Sequence, residues 1–138
     1  MIQTITAGIF LTIQAIFDIK IKKLPNIVTF VGSIFGIFLM FIKNQMTISI
    51  MIAFLPAVIC FFFAKISREA IGYGDVYLIG MLGFYCSITE LIMICEISFM
   101  LAGIIALILL VVFRKNKQYE IPFVPFLLAG FLIEEVFI

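Results

Sequence analysis

Long apolar runs, broken by short clusters of charged and turn-forming residues, extend from one end of the chain to the other. A helix that crosses a bilayer needs roughly 20 mostly apolar residues, fewer where its ends dip into a cavity, and it must satisfy its backbone internally. Six runs meet or approach that length, at 2–17, 27–42, 47–64, 76–88, 91–113 and 121–137. The fourth and sixth are short. From Val76 to Phe113 the sequence is too long for one crossing and barely long enough for two, so a tight turn is required near Ser87, Thr89 and Glu90. The pattern predicts a single all-α domain over residues 1–138, a polytopic membrane protein with about six transmembrane helices.

The charged residues between the runs predict an orientation. Lys20, Lys22 and Lys23 occupy the first loop, Lys65 and Arg68 the third, and Arg114, Lys115 and Lys117 the fifth, whereas only Lys43 falls in an even-numbered loop. Basic residues in short loops stay on the cytoplasmic side, so the odd loops are expected there and both termini outside. Asp18, at the end of the first run, and Asp75, at the start of the fourth, then share the cytoplasmic face. Gly32 and Gly36 form a GxxxG in the second run, and Gly80 with Gly83 thins one side of the fourth; both read first as sites of close helix packing. Pro56, Pro122 and Pro125 read as kinks or helix starts.

Composition agrees with lipid as the main solvent: 65% of the residues are hydrophobic and 12% charged, with a mean hydropathy of +1.34. A net charge of +1 provides no field to attract nucleic acid, which is an unlikely partner. No basic residue precedes the first apolar run and no small-residue cleavage site follows it, so that run is expected to be a retained helix. Cys60, Cys86 and Cys95 have no paired spacing and read as buried thiols. The chain contains no histidine, which removes Ser-His and Cys-His nucleophilic machinery, the HExxH motif and any His-ligated metal. Carboxylates are then the strongest candidates for hydrolytic chemistry, with no metal or cofactor expected.

Two acidic side chains at one membrane face of different helices are costly unless they pair, share a proton or meet water, which makes a functional role the default hypothesis. If Asp18 and Asp75 come together, repulsion and partial desolvation leave one protonated and one ionised near neutral pH. The carboxylate can then take a proton from a water while the acid polarises a peptide carbonyl. Gly72-Tyr73-Gly74-Asp75 puts two glycines ahead of the second acid, where the backbone is expected to bend freely and let a substrate strand approach. Pro25-Asn26, seven positions beyond Asp18, suits a helix start.

Taken together, Asp18 with Pro25-Asn26, the Gly72 to Asp75 GxGD, and Pro122-Phe123-Val124-Pro125-Phe126-Leu127 running on to Gly130 resemble the type IV prepilin peptidase family. The resemblance spans essentially the whole chain. It implies a six-helix membrane aspartyl endopeptidase of the prokaryotic plasma membrane. Such an enzyme removes the short basic leader of prepilins or pilin-like pseudopilins at the cytoplasmic face. Asp18 and Asp75 would be its catalytic pair, with Gly72, Gly74, Pro25 and Asn26 as substrate-binding positions. Two departures stand out: Tyr77 replaces the family's frequent lysine, and Val124 its usual glycine. The cysteine-bearing N-terminal extension of many relatives, which carries N-methylation activity, has no counterpart before the first run, so peptidase activity alone is expected.

Other readings stay open at this point. Asp18, Asp75 and Glu96 could form the relay of a small ion- or proton-coupled transporter. Tyr77 is the main argument for a non-catalytic homologue. A Ser67-Lys65 dyad is disfavoured, because residues two apart do not face each other on a helix. The sequence is compatible with a homodimer without requiring one.

Overall fold

The computed structural model describes residues 2–22, 24–42, 54–66, 72–112 and 121–137. Within them the chain is all-helical: α1 Ile2–Ile21, α2 Asn26–Ile42, α3 Leu55–Ile66, α4 Tyr73–Leu82, α5 Ile88–Val111 and α6 Val124–Phe137. Ser67, Arg68, five further basic loop positions (Lys23, Lys43, Arg114, Lys115 and Lys117) and the 47–53 part of the third predicted run lie outside the described residues.

Local chemistry explains where these boundaries depart from the expected ones. α1 runs past 17 because Asp18 and Lys20 do not break a helix; it stops where Lys22 turns left-handed, at φ 52, and its N–H closes on the Asp18 carbonyl at 2.9 Å. Asp18 is therefore inside the last turns of α1. α4 begins ahead of the predicted 76 and ends at Leu82, where the Phe84 and Tyr85 amides fold back onto the Met81 and Leu82 carbonyls at 3.1 and 2.9 Å. The turn required by the chain length is present. Ser87 caps α5 in a capping box, its hydroxyl accepting from the Glu90 amide while its own N–H donates to Glu90 Oε2 at 2.8 Å. Pro56 and Pro125 both sit in first helical turns, where a missing N–H costs no helix bond.

The helices pack as a ring in the order α1, α2, α4, α3, α5, α6, closed by contact between α6 and α1. α4 is the most enclosed, with Val76, Leu78, Ile79, Gly80, Met81 and Leu82 all buried. The GxxxG of α2 lies against its C-terminal end: a Cβ at Gly36 would come within 2.7 Å of Phe84 Cβ and 2.9 Å of the Tyr85 ring, and Gly32 is pressed against Met81. The Tyr85 hydroxyl donates to the Gly32 carbonyl at 2.6 Å. Glycine is needed there for approach, as the sequence pattern indicated.

The outside of the ring is as apolar as its core. Ile5, Phe30, Phe38, Ile92, Leu107 and Val111 all point away from the bundle. α1 and α5 are long and apolar enough to cross a membrane, and only 28% and 17% of their most apolar stretches are buried within the protein. Helices this apolar and this little covered by protein suit a lipid solvent.

Candidate active site

Three helix ends meet at one end of the ring: the last turns of α1, the first turn of α4 and the first turn of α6. α1 presents a buried stripe of Ala7, Leu11, Gln14, Ala15 and Asp18, spaced three or four residues apart. Asp18 closes that stripe and is only 7% exposed. Its Oδ2 accepts a hydrogen bond of 3.0 Å from the Val124 backbone N–H at the start of α6, and the Phe123 amide acts on the same carboxylate.

Asp75 occupies the third position of α4, ahead of the apolar stretch that starts at Val76, and is partly buried. Gly72 is the N-cap of this helix, and its backbone amide acts on the Asp75 carboxylate three positions on. The pull of a free helix-start amide gives a local reason for an acid at that position. Burial, and after it the charge of Asp18, pushes the Asp75 carboxyl up to about 7, against the lowering effect of the Gly72 amide. The two aspartates are thus close enough for the charge on one to act on the other, although they arise from helices far apart in sequence.

The glycines of the GxGD segment act differently from expectation. Neither has a positive φ; Gly72 adopts φ −65 and ψ 140, a conformation open to any residue, and Gly74 is helical. Free bending is not what they provide. A Cβ on Gly74 would stand 2.9 Å from Leu24 Cδ1, and one on Gly72 would stand 3.3 Å from Asp75 Oδ2. Leu24 thus already fills the space over Gly74 that the sequence reading reserved for substrate. Close approach, of the α1–α2 connection and of the Asp75 carboxyl itself, is the role the geometry assigns to them.

Pro25 and Asn26 start α2 as anticipated, the Pro25 carbonyl accepting from the Val28 amide at 3.0 Å. Asn26 is exposed and, with Tyr77, lines an apolar groove of about 820 Å³ between α2, α3 and α4. Tyr77 is 60% exposed, while its neighbour Val76 is buried. Glu96 is exposed on α5 and does not join the two aspartates. Cys60 and Cys95 are buried free thiols; Cys86, read as buried, is only half-buried.

Sequence reasoning passed over a buried polar pair one turn inward from Asp18. Gln14 is fully buried and its Nε2 donates to Thr29 Oγ1 of α2 at 2.6 Å, while its Oε1 has no partner. The signal was available, since Gln14 shares the three-and-four spacing of the buried stripe that ends at Asp18. The Val124 amide had no such signal, because a backbone donor does not appear in a list of side chains.

Residues 5–108 match the model of the type IV leader peptidase family. The match takes in Asp18, Pro25-Asn26 and Gly72 to Asp75; the Pro122 to Leu127 segment lies beyond it. No curated protein and no solved structure matches the chain.

Proposed function

Because the chain belongs to the type IV leader peptidase family, we propose that it is a multi-pass membrane aspartyl endopeptidase that removes the leader of prepilins or pilin-like proteins, with Asp18 and Asp75 as a water-activating pair. What supports this reading is the placement of the two carboxyls at the meeting point of α1, α4 and α6, where burial and, after it, the charge of Asp18 push Asp75 up to about 7. Two carboxyls so placed hold one proton between them near neutral pH. The ionised member takes a proton from water as that water attacks the scissile carbonyl. The protonated member hydrogen-bonds the carbonyl oxygen as it gains charge. Proton return to the leaving amine restores the pair. The step requires only water and the two side chains.

The same reading puts six helices across the plasma membrane, with the aspartates at the cytoplasmic face. It is supported by Lys20 and Lys22, which follow Asp18, and by Lys65 at the end of α3, each exposed. The substrate would carry a basic leader, a glycine at the cleavage point and an apolar segment beyond it, entering near Gly72, Pro25 and Asn26. The exposed position of Glu96 speaks against a transmembrane relay of three acids.

The test is cleavage of a fluorogenic peptide of that design by the full chain in lipid vesicles. Cleavage after the glycine is expected, and Asp18→Asn and Asp75→Asn should each lower it by about a thousandfold or more. Undiminished cleavage in either variant excludes the pair. Ion flux in the absence of cleavage would instead favour transport.

A further inference from the structure

The start of α6 combines an unusual sequence with an unusual hydrogen-bond pattern. In Pro122-Phe123-Val124-Pro125 the two prolines carry no N–H, so Phe123 and Val124 are the only backbone donors of the run. Val124 donates to Asp18 Oδ2 at 3.0 Å, and the Phe123 amide acts on the same carboxylate. The next two amides, of Phe126 and Leu127, both turn back to the Phe123 carbonyl, at 3.0 and 3.1 Å. The Val124, Phe126 and Leu127 amides of this helix start are therefore all engaged within the protein. Asp18 satisfies an orphan amide at the first position of this helix, and it does so from another helix. Val124 is fully buried, and the Phe123 ring stacks on Phe99 of α5 with centroids 5.0 Å apart, which fixes the run from its other side.

We infer that the Val124 backbone amide is a positioning group for the reaction, holding Asp18 as the ionised, water-activating member of the pair and leaving the shared proton on Asp75. The inference rests on the aspartyl-protease reading proposed above. A hydrogen bond donated to a carboxylate favours its charged form, and the positive end of a helix acts in the same direction. Asp18 accepts the Val124 amide at 3.0 Å from a neighbouring helix, whereas Asp75 has only the amide of its own N-cap, Gly72, to set against its burial. Among the described residues, the other charged groups facing this site are few. Lys20 and Lys22 follow Asp18 on its own helix, and Asp75 faces it from α4. α2 carries no charged residue, and the two glutamates of α6, Glu134 and Glu135, lie at the far end of that helix.

The test removes the amide and keeps the side chain's surroundings. Val124→Pro does so at a first helical position, where proline is tolerated. Insertion of the α-hydroxy analogue of valine at position 124 exchanges only N–H for oxygen. Val124→Ala retains the amide and controls for packing. Two readouts are taken on the full chain in vesicles: the pH profile of cleavage of the fluorogenic leader peptide, and infrared titration of the carboxyls, assigned with Asp18→Asn and Asp75→Asn. Loss of the amide should move the acid limb and the Asp18 titration up by about one pH unit. Cleavage on the acid side of the profile then falls about tenfold, and Val124→Ala leaves the acid limb in place whatever its rate. An acid limb unmoved in the amide-lacking chains, with the wild type cleaving, overturns the inference. If Val124→Pro fails to fold, the hydroxy-acid chain decides. If the wild type does not cleave, the aspartyl-protease reading falls, and the infrared titration still tests whether the amide governs Asp18.

Discussion

At the scale of single residues, buried polar atoms decide what this interior tolerates. Gln14 donates to Thr29 and leaves its other amide atom without a partner in a fully buried position. Whichever way the amide is turned, one of its polar atoms remains unmet, and such an atom costs about 1–3 kcal/mol. Gln14→Leu should therefore raise the unfolding temperature in detergent, because Thr29 alone can turn its hydroxyl to a carbonyl of its own helix. Thr29→Ala should lower it, since both ends of the Gln14 amide would then be stranded. A lower temperature in Gln14→Leu would mean that the free atom has a partner, such as a water, worth more than the burial it costs. The contrast with the aspartates shows what a sequence makes legible. An acid in an apolar chain announces its cost through its residue type, and both Asp18 and Asp75 could be singled out on that ground alone. Their partners could not, because the groups that hold them are the amides of Phe123, Val124 and Gly72, which have no signature of their own.

Helices follow from apolar run length wherever a run is bounded by turn chemistry, and they shift wherever a polar residue is compatible with helix. The Ser87–Glu90 capping box sits where the length argument demanded a turn, whereas α1 continues through Asp18 because a carboxylate does not end a helix unless a left-handed residue follows. Which helices touch is written mainly in glycines, and here the structure adds what the sequence lacked. The GxxxG of α2 was legible as a packing face, but Gly130 on α6 was known only as the end of a motif. A Cβ at Gly130 would come 2.7 Å from the Ile94 carbonyl oxygen of α5, a backbone atom that cannot move aside. Gly130→Ala should therefore prise α6 from α5, destabilising the protein by about 1–3 kcal/mol. It should also depress cleavage, since the same helix delivers the Val124 amide to Asp18. Gly103, on α5, has nothing within 4 Å of its would-be Cβ. Gly103→Ala should stabilise by about 0.5–1 kcal/mol through helix propensity alone. Thermal unfolding of the two variants side by side tests the assignment, and equal effects would contradict it.

For the whole molecule, what the linear chain could not reveal is the closure of the ring. Contact between the first and last helices brings Asp18 under α6, and the ring's enclosure of α4 desolvates Asp75. Folding therefore couples to pH through Asp75. Its carboxyl titrates near the ordinary 3.8 when the chain is unfolded and at about 7 when folded. The folded state then binds the extra proton across that interval, so the contribution to stability is fully present below about 3.8 and is lost as pH rises towards about 7. Asp75→Asn cannot ionise; relative to wild type it should gain stability steadily over the same window and level off above it. Asp18→Asn acts on the same curve by a different route, because it removes the second of the two influences that raise Asp75 and leaves burial, the larger one, in place. The upper end of the Asp75 window should move down in Asp18→Asn without reaching 3.8. Chemical denaturation in detergent at a series of pH values, for wild type and both variants, reads all three curves. A wild-type stability that does not fall between pH 4 and pH 7 relative to Asp75→Asn would show that Asp75 is not desolvated in the folded protein, and an Asp75 window unmoved in Asp18→Asn would show that the two carboxyls do not meet, which would remove the basis of the shared-proton mechanism.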